Sequence, residues 1–249
     1  RNIDIDLGVF LDIDYYSRAI EASPQDPLGY YFRGLAHLRI GNTSEAELDI
    51  STSYDLGFQL PEVLATRGYA RLKTGGRSSD LGHAQDADPR DLSFKVYRGE
   101  YATFSGDYDQ AIEFFERAIA SEFDLGTSLL GRARVFLALG LDDAAKNDIT
   151  NSKDYDLPSS QHYLDRGEIH TFFADFDLAI LDLNEAIHIN PNRAEYYNSR
   201  AKAHAYSGDL ESALGDLNIA IQLASADSEY FINRGIIYYL LRDFEIHHP

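Results

Sequence analysis

Eight histidines are the side chains in this sequence best suited to hold a metal or carry a proton, and their spacing gathers none of them into a ligand set. There is no His-x-x-x-His pair. His37, His170 and His204 recur at one common place in a repeating pattern, which points to packing rather than to metal. His247 and His248 close the chain ahead of Pro249. The absence of cysteine excludes disulfides, thiolate catalysis and Cys-ligated zinc. Asp154/Asp156 and Asp175/Asp177 are acid pairs of a kind calcium accepts, but they stand where helix caps are expected. The segment from Asn2 to Gly8 is similar to an EF-hand loop, yet its glycine is one place late and Ile13 occupies the place of the bidentate glutamate. Lys73-Thr74-Gly75-Gly76-Arg77-Ser78-Ser79 has phosphate-friendly residues, but it falls at a helix–helix turn where glycine is needed anyway. No Walker loop, dinucleotide fingerprint or Gly-x-Ser-x-Gly elbow is present. Asn42-Thr43-Ser44 is a glycosylation sequon in an expected loop. The residues therefore predict no enzyme, no cofactor and no metal.

One constellation does repeat. Arg33, Arg67, Arg98, Arg132, Arg166, Arg200 and Arg234 form a column with a spacing of about 34 residues. Each is followed by Gly or Ala: Gly34, Gly68, Gly99, Ala133, Gly167, Ala201, Gly235. Sixteen residues after four of these arginines stand Asp49, Asp148, Asp182 and Asp216. The same offset from Arg67 and Arg98 reaches His83 and Phe114. This pattern predicts a ladder of Arg–Asp pairs within the repeats. Exposed, unrelated charges are the competing expectation.

Helix pairs must position this ladder. The small residues beside the arginines allow two helices to cross closely. Gly41, Gly75, Gly106, Gly140 and Gly208, with Ala174, end each first helix. Asp107, Asp175 and Asp209 then open the second as N-caps. Apolar residues follow at helical spacing, as in Ala111, Ile112, Phe115, Ala118 and Ile119. Ala46, Ala111, Ala145, Ala179 and Ala213 form a packing column. The third repeat is three residues short, with Asp80 in the place of that alanine and a terse Ala87-Asp88-Pro89 ending. A truncated second helix is expected there.

With Tyr163, Gly167, Ala179, Leu183, Ala186 and Pro191 in register, and Tyr197, Ala201, Ala213, Leu217 and Ala220 repeating them, the sequence resembles the tetratricopeptide family. The resemblance implies an all-α, right-handed superhelical solenoid of stacked helix pairs. It covers nearly the whole chain as one solenoid: a half repeat over 1–26, repeats over 27–60, 61–91, 92–125, 126–159, 160–193 and 194–227, and a half repeat with a tail over 228–249. Arginine stands where the family favours leucine, and the histidine column stands where it favours tyrosine.

Composition narrows the partners. Net charge is −19, from 22 basic against 41 acidic side chains. A chain so acidic repels nucleic-acid phosphates, so a protein or peptide, basic or a second copy of itself, is expected. No apolar run reaches the ~20 residues of a membrane span. The cytoplasm is the default setting. An extracellular one stays open, because the absence of methionine makes residue 1 a processed or trimmed end.

The resemblance implies that the first helices line a concave groove. Two residues after each arginine stand Leu35, Tyr69, Glu100, Arg134, Glu168, Lys202 and Ile236, a varied column beside uniform ones. Tyr31, Phe172, Tyr206 and Tyr239 add aromatic area. The function expected is a non-catalytic scaffold that holds a partner peptide in this groove. Some family members grip a C-terminal carboxylate, but Asp165 and Ser199 replace the asparagines of that clamp. The alternative is self-assembly. Residues 7–22 read as a second helix without its first, and 228–242 as a first helix without its second. Exposed Ile236, Ile237, Tyr238, Leu240 and Leu241 would join copies head to tail into filaments or rings.

Overall fold

A computed structural model describes residues 13–76, 79–87 and 93–247. These form fourteen α-helices and, among the described residues, no strand. They are α1 (Ile13–Ala22), α2 (Pro27–Arg39), α3 (Thr43–Asp55), α4 (Pro61–Lys73), α5 (Asp80–Ala87), α6 (Ser93–Ser105) and α7 (Tyr108–Ala120). Then come α8 (Leu125–Ala138), α9 (Asp142–Ser152), α10 (Ser160–Phe172), α11 (Phe176–Ile189), α12 (Ala194–Ser207), α13 (Leu210–Leu223) and α14 (Ser228–His247). The EF-hand-like segment 2–8, the residues expected to begin the first helix, Arg77-Ser78 of the glycine turn, Asp88-Pro89 and His248 lie outside the described residues.

The chain divides into two compact units, Arg1–Asp156 and Leu157–Pro249. In the first, α1 packs on α2, and the pairs α2/α3, α4/α5, α6/α7 and α8/α9 each contact the next. In the second, α10/α11 packs on α12/α13, and α13 on α14. All are the helix pairs that the repeat columns predict.

Several helix starts follow local capping rules. Asp26 accepts from Leu28 N at 3.0 Å, and Pro27 occupies the first turn of α2, where its missing N–H costs nothing. Asp107 and Asp209 cap α7 and α13 as expected, accepting from Gln110 N (3.2 Å) and Ser212 N (3.0 Å). Asp175 stands at the same place before α11 but makes no side-chain cap bond. Its carboxylate lies 3.9 Å from His170 Nδ1 instead.

The core is a set of close helix crossings. The second-helix alanines Ala46, Ala111, Ala145, Ala179 and Ala213 are fully buried. One large apolar residue per pair meets the first helix where glycine leaves room. A Cβ on Gly34 would fall 2.6 Å from Ile50, and one on Gly167 2.8 Å from Leu183. Phe115 fills the space left by both Gly99 and Gly131.

Arginine and aspartate form the expected ladder. Arg33 Nε and Nη2 both donate at 2.7 Å to Asp49. The pairs Arg132–Asp148, Arg166–Asp182 and Arg200–Asp216 share this bidentate geometry at 2.6–2.8 Å. All four aspartates are buried. Their hydrogen bonds push the pKa values of Arg33, Arg132 and Arg200 further above the usual value.

The reading of Asp80 is corrected. Arg67 pairs with Asp80, thirteen residues on, at 2.7 and 2.9 Å, and not with the column of His83. Asp80 therefore occupies the carboxylate column rather than the alanine column. Leu81 takes the large apolar place against Gly68. The deletion has removed the first turn of the second helix, so α5 begins at its carboxylate and runs only eight residues. In the next repeat Phe114 replaces the aspartate, and the Arg98 guanidinium sits 4.9 Å over its ring.

Three arginines also reach sixteen residues back, to the second helix of the preceding repeat. Arg33 donates to Ser17 (3.1 Å), Arg200 to Asn184 (2.6 Å) and Arg234 to Asn218 (2.9 Å). The Arg33 and Arg200 guanidiniums so join three helices each: their own and the second helix on either side.

Candidate binding face

The first-helix column expected to meet a ligand divides between the two units. In the first unit Tyr31 is part of the core around Ala46, Ile50, Val63 and Ala70, its ring 5.3 Å from Phe58. Burial pushes its phenol pKa up. Leu35 is half-buried. Tyr69 is buried against Tyr97 at 5.0 Å, with the Lys73 ammonium 5.2 Å over its ring. Glu100 is buried too. It accepts from Lys73 Nζ at 2.8 Å, and the Arg134 guanidinium approaches to 3.8 Å. Tyr31, Tyr69 and Glu100 thus present little surface to a ligand. What remains open is a recess of about 270 Å³ edged by Lys73, Thr103, exposed Phe104 and Arg134. Lys73 and Phe104 carry no signal in the expected column. They stand six residues after their framework arginines, one helical turn beyond it.

The second unit presents a broader face. Phe172 is 64% exposed and Tyr206 69%, one repeat apart on α10 and α12. They flank a recess of about 600 Å³, lined also by Glu168, Thr171, Phe176, Ser199 and Lys202. Phe176 and Tyr206 stack at 6.4 Å. Ser199 Oγ donates to Glu168 at 2.7 Å, and Lys202 Nζ to Glu229 at 2.8 Å. The bonds from Lys202 and from Asn198 hold the Glu229 carboxyl below its usual pKa. Glu168 and Lys202 are each oriented by a neighbour from the first helix of the next repeat. A second recess shares Lys202 and Tyr206 and extends to Ile236 and Leu240 on α14. The structure brings Glu168, Phe172, Lys202 and Tyr206 to one face. It adds Thr171, Phe176 and Ser199, which the column did not single out.

The expected end-to-end residues also separate. Ile237 is only 4% exposed, packed with Ala201, Ala213 and Leu217, and half-buried Leu241 joins that cluster. The expectation that both are exposed is corrected: α14 buries one stripe on α12 and α13. Ile236, Tyr238 and Leu240 are exposed, together with Phe231, Ile232 and Tyr239.

The histidine column lies beside the ladder. The Nε2 atoms of His37, His170 and His204 stand 3.8–4.0 Å from Asp49, Asp182 and Asp216. Burial lowers the pKa of His37 and His170. Among the described residues no three His, Asp or Glu side chains gather as a metal site, and no helix is long and apolar enough to cross a membrane.

A tetratricopeptide repeat family model matches residues 98–124. No match was found among curated protein sequences. Solved structures do match. A chain of the anaphase-promoting-complex hetero-tetramer Cut9-Hcn1 superposes with a TM-score of 0.65 at 15% identity, over 91% of this chain and 46% of that one. This chain therefore spans about half the length of that relative. A tetratricopeptide repeat protein from Parabacteroides merdae gives 0.60 at 18% identity, over 79% and 78% of the two chains. A thermophilic tetratricopeptide protein, TTC0263 of Thermus thermophilus, gives 0.51 at 16% identity, over 72% and 97%. At these identities the likeness is one of fold. Residues 98–124 thus match a tetratricopeptide repeat, and the repeat columns, the helix pairs they build and these structures together give the chain the fold of tetratricopeptide-repeat proteins.

Proposed function

We propose that the chain is a non-catalytic scaffold that holds an extended segment of a partner protein along the first-helix face of its second unit. The observation that carries this reading is the pair of exposed rings, Phe172 and Tyr206, on either side of the 600 Å³ recess. Aromatic rings are large and rigid, so they contribute contact area at low entropic cost. Between them Glu168, Thr171, Ser199 and Lys202 supply polar groups that fix register. The chain's net charge of −19 favours a basic segment by long-range attraction.

Panning a peptide-display library against the purified chain tests this. Enriched peptides should carry basic residues among apolar ones. The double variant Phe172→Ala/Tyr206→Ala should weaken their binding about tenfold or more, the loss expected for truncating interface anchors. Its melting temperature should not change, because both rings are exposed. Enriched peptides that bind the double variant as well as the parent chain would overturn the reading.

A further inference from the structure

The recess between Phe172 and Tyr206 contains a carboxylate that no cation among the described residues neutralises. Glu168 and Phe172 stand four residues apart on α10, so they share one face of it. Lys202 and Tyr206 repeat that spacing on α12, and Phe176 at the start of α11 adds a third ring. The two charges differ in their partners. Lys202 Nζ donates to Glu229 at 2.8 Å, and its charge is matched there. Glu168 has a neutral donor instead, the hydroxyl of buried Ser199, which reaches Oε1 at 2.7 Å. Among the described residues no Lys, Arg or His forms an ion pair with Glu168, and its Oε2 has no donor. Nor does an ammonium or guanidinium lie over Phe172, Phe176 or Tyr206.

Elsewhere the chain fills such a place with a cation of its own. Arg67 donates twice to Asp80 while its guanidinium lies 3.8 Å from the centre of the Tyr54 ring. Lys73 donates to Glu100 at 2.8 Å and lies 5.2 Å over the Tyr69 ring. Glu100 is the counterpart of Glu168 in its own repeat, two residues after the framework arginine. Ring and carboxylate act together on a cation: the negative face of the ring attracts it, and the carboxylate accepts its charge-assisted hydrogen bonds.

We infer that the recess is a subsite for an arginine side chain of the bound segment. The inference rests on the reading of this face as the binding face, and it names the side chain that the face selects. The guanidinium would lie against the rings of Phe172 and Tyr206 and donate to Glu168 Oε2. Ser199 holds the carboxylate in place without spending its charge. Lysine fits less well, because its ammonium is more strongly hydrated and has no planar face to lay on a ring.

A synthetic array of randomised dodecapeptides tests this. One set carries a central arginine, and matched sets carry citrulline or lysine there. The labelled full chain is the probe, at about 0.15 M salt, where distant exposed charges are screened. The arginine set should be bound about tenfold better than the citrulline set, as for loss of a charged hydrogen-bonded pair, and better than the lysine set. Glu168→Gln keeps an acceptor for Ser199 and removes only the charge. It should bring the arginine-to-citrulline ratio close to one at an unchanged melting temperature, since the side chain is exposed. Attraction by the overall charge cannot produce that result, because one acidic side chain of 41 is altered. Equal binding of the arginine and citrulline sets, equal binding of the lysine set, or a preference that survives Glu168→Gln would overturn the inference. Equal binding of the three sets that is lost in Phe172→Ala/Tyr206→Ala would leave the face as the binding face and remove the arginine subsite. Binding that the double variant keeps in full would overturn the reading of the face itself, and the subsite with it.

Discussion

Ala174 adopts a left-handed backbone, φ 61°, at the turn where Gly41, Gly75, Gly106, Gly140 and Gly208 have φ of 71–94°. A Cβ in that region crowds the following carbonyl, at a cost of about 1–2 kcal/mol. Glycine removes the crowding but loses more chain entropy on folding. Ala174→Gly should therefore raise stability by about 0.5–1 kcal/mol, read as a higher urea midpoint at unchanged slope. A lower midpoint would show that the turn is not strained. This site was legible in the sequence as the one alanine in a glycine column. The histidine neighbours were less so. His170 belongs to a visible column, but Asp175, expected to cap α11, makes no cap bond and lies 3.9 Å from its ring, whereas Asp209 lies 3.7 Å from His204 and still caps α13.

At the scale of the element, the ladder decides how each helix pair is held. Asp182 accepts two bonds from Arg166, and both side chains are buried. Asp182→Asn should leave a buried guanidinium without its counter-charge and cost about 3–5 kcal/mol. Asp80 carries more. It accepts from Arg67 at 2.7 and 2.9 Å and from Arg71 at 2.9 Å, and it begins the short helix α5. Asp80→Asn should lower the urea midpoint at least as far as Asp182→Asn, since Arg67 loses its counter-charge and Arg71 keeps only Glu47, at 3.4 Å. An equal or smaller loss at Asp80 than at the partly exposed Arg33–Asp49 pair would mean that α5 is held by Leu81 alone. The sequence revealed the ladder where the offset stayed at sixteen. It concealed the Asp80 pair because a deletion between the partners changed the offset to thirteen, while the physical demand for a carboxylate did not change. The backward bonds to Ser17, Asn184 and Asn218 were not legible either, since serine and asparagine are ordinary on a helix surface. Ile237 was misread for a related reason: a first helix packs on two neighbours, and its buried stripe is wider than one repeat shows.

For the molecule as a whole, acid should act through the histidine column before it acts through the carboxylates. His37 faces Asp49, Arg33 and Glu45, and His170 faces Asp182, Arg166 and Asp175. Burial is the largest influence on both and lowers their pKa, more than the nearby carboxylates raise it. The unfolded chain therefore binds protons at these sites more readily than the folded one. Their contribution to stability is fully present above the unfolded value of about 6.5 and is lost as pH falls through the lower folded values. Net charge works in the other direction, because protonation relieves the repulsion of a chain at −19. Substitution separates the two. Phe136 already occupies this column, so His37→Phe/His170→Phe keeps a ring in place and removes the titration. The parent chain should lose stability between pH 7.5 and 5.5 in urea titrations, and the double variant should lose clearly less. Equal slopes would assign the pH dependence to the charge of the whole surface, and the histidine column would then serve packing alone.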